Sequence, residues 1–112
     1  MDKYTKELMG ASTALLILSV LAREASYGYE IIKQINAEAD GAFTWQEGTV
    51  YPILHKLEKD GKVRAQWQDS GAGRKRKYYY ITATGRGLLE SGKEEWSQFH
   101  GMLFRTSEAL NG

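Results

Sequence analysis

The chain has 112 residues, no cysteine and a formal net charge of +1, a size that supports one hydrophobic core with little to spare and a composition that excludes a disulfide framework or a thiolate metal site. The small net charge hides an asymmetry: residues 1–40 hold four basic and six acidic side chains, residues 41–82 eight and four, and residues 83–112 three and four, so an excess of +4 sits in the middle segment. Salt at physiological strength screens charges beyond about 8 Å, so this local excess, and not the total, governs attraction to a polyanion.

In chain order, Asp2 or Thr5 can cap a first helix over about 4–23, in which Leu8, Leu15, Leu16, Ile17, Leu18, Val20 and Leu21 leave few polar positions in the second half. A helix that is apolar nearly all round is buried on more than one side. Its apolar run from Thr13 to Ala22 is about half of what a bilayer span needs and lacks a following small-residue cleavage pattern, so a buried helix is expected, with no membrane span and no signal peptide. The missing cysteines fit a reducing, cytoplasmic setting. Ser26 is placed to cap a second helix over about 26–40, with Ile31, Ile32, Ile35 and Ala39 as its apolar stripe and Gly41 as its end. Thr44-Trp45-Gln46-Glu47 has the T-x-x-E spacing of a capping box and predicts a third helix over about 46–60, stopped by Gly61.

After Gly61 the period changes from that of a helix to that of a strand: Val63, Ala65 and Trp67 alternate with Arg64, Gln66 and Gln68, the pattern of a strand buried on one face. Ser70-Gly71-Ala72-Gly73 is a turn, and the chain returns with Tyr79 and Ile81 facing inward, giving a β-hairpin over about 62–69 and 76–82. Thr82 caps a last helix that can run to about Leu110. The predicted fold is therefore mainly α with a small β-hairpin (α+β): a winged helix-turn-helix domain in residues 1–82 and a long dimerisation helix in residues 83–112.

The third helix carries the first functional signal. On a helical wheel Val50, Ile53, Leu54 and Leu57 share one arc, the core face. The opposite arc holds Gly48, Tyr51, Pro52, His55, Lys56 and Lys59, with no acid at its centre. Glycine costs a helix interior about 1 kcal/mol and proline about 3 relative to alanine, and both lie on this outer arc. A major groove admits an α-helix, and its N-terminal residues meet the base edges; the alternative is that Gly48 and Pro52 only shape the turn and Tyr51 packs on the wing. If the helix begins near Gly48, the amide that Pro52 lacks falls at or beside the unpaired donors of the first turn. The second signal is the run Arg74-Lys75-Arg76-Lys77 beside a loop of small residues, which can reach phosphates or a narrow minor groove.

YGYEI at 27–31, GTVYPILHKLEKDG at 48–61, Trp67, GRKRKYYYIT at 73–82 and TGRGLL at 84–89 together resemble the PadR-like family of bacterial winged-helix transcriptional regulators, over roughly residues 10–90. The resemblance implies a homodimer, usually a repressor, that binds operator DNA with Thr49, Tyr51, Pro52, His55 and Lys56 of the third helix and Arg74 and Arg76 of the wing. Lys75 stands where the family commonly has proline and Tyr80 where it commonly has a basic residue. The short C-terminus resembles the smaller members, some of which respond to planar drugs or phenolic compounds.

In the last helix Gly85, Leu89, Gly92, Trp96, Phe99, Leu103, Thr106 and Leu110 recur at alternating spacings of four and three, a heptad seam. A domain of this size cannot cover such a stripe alone, so Leu89, Gly92, Trp96, Phe99, Leu103 and Leu110 are expected to meet a second copy together with Leu15 and Leu18 of the first helix. Trp96, with Phe99, either fills that interface or lines a cavity for a flat aromatic ligand. Two winged helices related by this dimer would meet half-sites about 34 Å apart in a palindromic operator.

His55 and His100 are the only histidines, no G-x-S-x-G motif occurs, and neither H-x-x-x-H nor E-x-x-H is present. These absences argue against an enzyme, a bound cofactor and a metal site. A winged-helix module that binds protein without specific DNA binding is the remaining alternative.

Overall fold

The computed structural model describes residues 2–111, and the side chains of 110 and 111 lie outside that description. Its elements are α1 (Lys3–Arg23), β1 (Ser26–Tyr27), α2 (Gly28–Ala39), α3 (Glu47–Lys59), β2 (Val63–Asp69), β3 (Lys75–Ile81) and α4 (Ala83–Asn111). Asp2 caps α1: its Oδ1 accepts from the Thr5 amide at 2.8 Å, which holds the carboxyl below its ordinary pKa. By length and composition alone α1 can cross a membrane, further than its ten-residue apolar run suggests. In the fold, Thr13, Ile17, Leu18, Val20 and Leu21 of this helix are buried, and α2, α3, β3 and α4 all pack on it. The deepest side chains, Ile17, Leu18, Ile31, Val50, Leu54 and Val63, come from α1, α2, α3 and β2.

Three local expectations are corrected. Ser26 does not cap α2. It is buried in β1 opposite Tyr79, and Tyr27 takes the cap position with extended backbone and no side-chain cap bond. The hairpin is therefore the larger part of a three-stranded antiparallel sheet in the order β1-β3-β2. The capping box at Thr44 does not form either: Gln46 is the N-cap, without a side-chain bond. Asn36 holds the backbone here instead, its Nδ2 donating to the Trp45 carbonyl at 2.9 Å and its Oδ1 accepting from the Trp45 amide at 2.7 Å. The buried Trp45 indole in turn donates to Thr13 Oγ1 at 3.1 Å, and that hydroxyl donates to the Met9 carbonyl at 2.6 Å. Lastly, Trp67 shares the inward side of β2 with Val63 but is 65% exposed. The strand runs on past the edge of the core, so the alternation of residue types outlasts the surface that could bury them.

The far end of α3 closes as expected at Gly61, which has φ +74°. The Gly61 amide donates to the Glu58 carbonyl at 3.1 Å and the Lys62 amide to the Leu57 carbonyl at 2.8 Å, the two bonds of a Schellman turn. Thr82 joins this turn to α4. Its hydroxyl lies 2.7 Å from the Gly61 carbonyl and 3.0 Å from that of Lys62, and accepts from the Gly85 amide at 3.0 Å. Gly85 is buried against the turn, and a Cβ there would overlap the Lys62 carbonyl oxygen and sit 2.9 Å from Ile81 Cγ1.

Thr13→Val keeps the shape of the side chain but strands the Trp45 indole N–H in the core, so urea unfolding is expected to show a loss of about 1–3 kcal/mol. A change no larger than an exposed Thr→Val substitution produces would mean that the indole has another partner.

Candidate nucleic-acid interface

The core arc of α3 lies as its pattern requires, with Val50 and Leu54 fully buried and Leu57 nearly so. The opposite arc is thereby turned outward: Gly48, Thr49, Pro52, His55, Lys56 and Lys59 are exposed. Pro52 sits deeper than expected. The helix starts at Glu47, and its first full-turn bond runs from the Val50 amide to the Gln46 carbonyl at 3.1 Å. Residue 52 is thus two steps into the ladder, and the bond it cannot give is one to the Gly48 carbonyl. That carbonyl lies on an exposed turn, where water or a ligand can satisfy it, which lowers the cost of the missing donor.

Tyr51 does more than pack on the wing. Its ring lies directly on Gly28 at the start of α2, where a Cβ would meet two ring carbons and the phenol oxygen at 2.5–2.7 Å. Burial, then the nearby Glu47 carboxylate and Tyr79, push the Tyr51 phenol above its ordinary pKa. The His55 ring follows along the helix, 6.1 Å from that of Tyr51 between centroids.

Between α3, the start of α2 and the wing lies a groove of about 320 Å³, bounded by Tyr27, Tyr29, Tyr51, His55, Trp67 and Arg76. Lys75 and Lys77 flank it on the wing side. The structure therefore brings together Tyr51, His55, Lys75, Arg76 and Lys77 from the predicted set. Pro52, Lys56 and Lys59 lie on the exposed surface of α3 outside the groove lining, and Thr49 lines a separate hollow with Lys6, Thr44 and Gln46. Tyr27, Tyr29 and Trp67 were not foreseen as groove residues. Both tyrosines lie in the YGYEI segment, whose value was only as a family signature, and Trp67 was assigned to the core.

The wing is fixed by its own side chains. At its tip the Ser70 amide donates to the Arg74 carbonyl at 2.8 Å and the Arg74 amide to the Gly71 carbonyl at 3.1 Å, so the turn is closed without the proline. The Lys77 ammonium donates to Glu58 Oε1 of α3 at 3.1 Å, and this bond raises its pKa. Lys77, expected to bind DNA, is thus already paired and braces the wing against the helix. Lys56 also has an acidic neighbour, Asp60 at 3.4 Å, but that pair is exposed and worth little in water. On the outer face of the sheet the arginines lie over tyrosine rings, Arg76 over Tyr27 at 4.2 Å and Arg64 over Tyr80 at 4.3 Å. Tyr80, the departure from a basic residue, also bonds Gln68.

A second surface lies along α1 and α4. Gly92 of α4 is buried against Leu15 of α1, whose methyl groups lie 2.6 and 2.8 Å from where its Cβ would be. Beyond this contact an apolar groove of about 490 Å³ runs past Ala14, Leu15, Leu88, Gly92, Trp96 and Phe99. Phe99 and Leu103 are 67% and 62% exposed. Leu18 and Leu89 are buried within the protomer and support this face from behind, with no surface left for a partner; the side chain of Leu110 lies outside the described residues.

Residues 17–91 match the Transcriptional regulator PadR-like family. The chain is 35% identical over 95 residues to an uncharacterized protein of Lysinibacillus sphaericus, covering 85% of this chain and 87% of that one. It is 32% identical over 81 residues to the transcriptional regulator YqjI of Escherichia coli K12, covering 72% of this chain but only 37% of that longer protein. Among solved structures, a transcriptional regulator from Clostridium thermocellum superposes with a TM-score of 0.81 at 29% identity, over 88% of this chain and 96% of that one.

The contact between Gly28 and Tyr51 predicts a strong coupling. Gly28→Ala is expected to destabilise by about 1–3 kcal/mol through overpacking, and combining it with Tyr51→Ala should remove most of that increment, giving a non-additive cycle in urea unfolding. Additive costs would place the ring elsewhere.

Proposed function

The chain belongs to the PadR-like family of transcriptional regulators, and we propose that it is a homodimeric repressor that binds a palindromic operator through the groove between α3 and the wing. The observation that carries this reading is the convergence on one open groove of Tyr51 and His55 of α3, the YGYEI tyrosines and Lys75, Arg76 and Lys77 of the wing. Exposed aromatic and hydroxyl groups of α3 can read base edges, while Arg74, Lys75 and Arg76 hold phosphates and fix the register. Lys56 and Lys59 extend the positive surface along the helix. Lys77 acts indirectly, through its pairing with Glu58. The family and the cysteine-free sequence support a cytoplasmic regulator with no catalytic role.

The apolar face of α1 and α4 supports the dimer. An unpartnered stripe carrying Trp96, Phe99 and Leu103 is costly in water and is covered when a second copy packs its own α4 against it. The groove beside Trp96 is large enough and apolar enough to take a planar aromatic or phenolic ligand between the two protomers. Such a ligand would release the operator by favouring a dimer geometry that no longer fits both half-sites.

The test is binding to a duplex carrying the chain's own promoter, against random duplex, over a range of salt. A preference of at least a hundredfold is expected, with affinity falling steeply as salt rises because each phosphate contact releases a counterion. His55→Ala should change the sequence chosen in an operator selection, and Arg74→Ala should weaken all sequences alike. Equal and weak binding to every duplex would leave a protein-interaction module as the better reading.

A further inference from the structure

Arg76 is the second residue of β3, and Tyr27 is the N-cap of α2 and the last residue of β1. The two meet because β1 pairs with β3 in a register that sets Tyr27 opposite Tyr78, so residue 76 lies one step along the same face. The Arg76 guanidinium carbon stands 4.2 Å from the Tyr27 ring centre, and the Tyr78 ring meets that of Tyr27 edge-on at 5.6 Å. The Tyr27 side chain makes no capping bond to α2, so the ring face is free for this role. Unlike Lys77, Arg76 has no carboxylate within salt-bridge distance among the described residues.

We propose that Tyr27 is a positioning residue for DNA binding: its ring holds the Arg76 guanidinium flat at the edge of the groove and so sets the wing arginine in register with α3. Stacking uses the face of the guanidinium and leaves its five N–H donors, which lie in the plane, free for phosphate oxygens. An ion pair in the same place would occupy up to two of those donors and offset the charge. Tyr27 is also tied to α3 through its neighbour, since Gly28 carries the Tyr51 ring; one short segment thus sets both the tyrosine of the reading helix and the arginine of the wing. The proposal rests on the groove being the DNA interface.

The test is a double-mutant cycle on operator affinity in the full-length protein, with Tyr27→Phe, Tyr27→Leu, Arg76→Gln and the Leu/Gln double variant. Tyr27→Phe keeps the ring face and should bind within twofold of wild type. Tyr27→Leu should bind about three- to fivefold more weakly, with the salt dependence unchanged because no charge is lost. Arg76→Gln should bind more weakly still, with a salt slope smaller by about one, and adding Tyr27→Leu to it should cost less than twofold more. A full additional three- to fivefold loss in the double variant would overturn the positioning role, as would failure of Tyr27→Phe to preserve binding. Absence of any wild-type preference for operator over random duplex would overturn the DNA reading itself, and the proposal with it.

Discussion

The orientation of the outer face of α3, the proposed reading surface, depends on how the start of that helix is held. Asn36 grips both the amide and the carbonyl of Trp45, and the Trp45 indole is anchored through Thr13 to α1. These bonds are buried or partly buried, so each would leave an unpaired polar group if broken. They fix the chain one residue before the helix cap, and with it the rotation of α3 about its axis. A rotation of one residue, 100°, would turn His55 away from the groove and bring Ile53 outward. The opposite end is set by the Schellman turn at Gly61 and by Thr82, which bonds to that turn while capping α4. A helix fixed at one end by side-chain bonds to Trp45 and at the other by a Schellman turn presents its outer face with little freedom, which is what selective contact with base edges requires.

The wing is held on both of its faces by different chemistry. Inside, Lys77 reaches Glu58 on α3. Outside, the sheet faces water and arginines lie on tyrosine rings. The two solutions have different consequences for a polyanion. The ion pair spends a positive charge on geometry, whereas the stacked arginines keep theirs available. Of the four consecutive cations in the wing, therefore, Arg74, Lys75 and Arg76 are the ones without a carboxylate partner among the described residues, and the proposed contact with DNA draws its charge from them. The groove's aromatic floor is uncharged as well: Tyr51 carries a neutral phenol, as any tyrosine does at physiological pH, so it does not oppose phosphate.

Helix positions and the core face of α3 were legible in the sequence because periodicity is a local signal. Val50, Leu54 and Leu57 could be read from spacing alone, and so could the caps at Asp2 and Thr82. What was misread depended on partners distant in the chain. Ser26 and Thr44 have the chemistry of helix caps, but Ser26 is taken by pairing with β3, and Asn36 does at Trp45 the work assigned to Thr44. The same limit explains Trp67 and Tyr27. Alternation says which side of a strand a residue lies on, but not where the core beneath it ends; nor does any local pattern show that a two-residue strand will set a tyrosine under an arginine fifty residues away. The resemblance to a family pointed to α3 and the wing, and the structure shows that Tyr51, His55 and Arg76 of the residues it implied share one groove.

All of this acquires a biological meaning only if two such surfaces are presented together. The chain has no cysteine, so His55→Cys places a single nitroxide label on the exposed face of each α3 near its middle, and electron–electron dipolar spectroscopy reads the distance between the two. A dimer through α1 and α4 that fits successive half-sites on one side of DNA predicts a distribution centred at about 34 Å. Absence of dipolar coupling, or a distribution centred well away from one helical turn, would contradict the account.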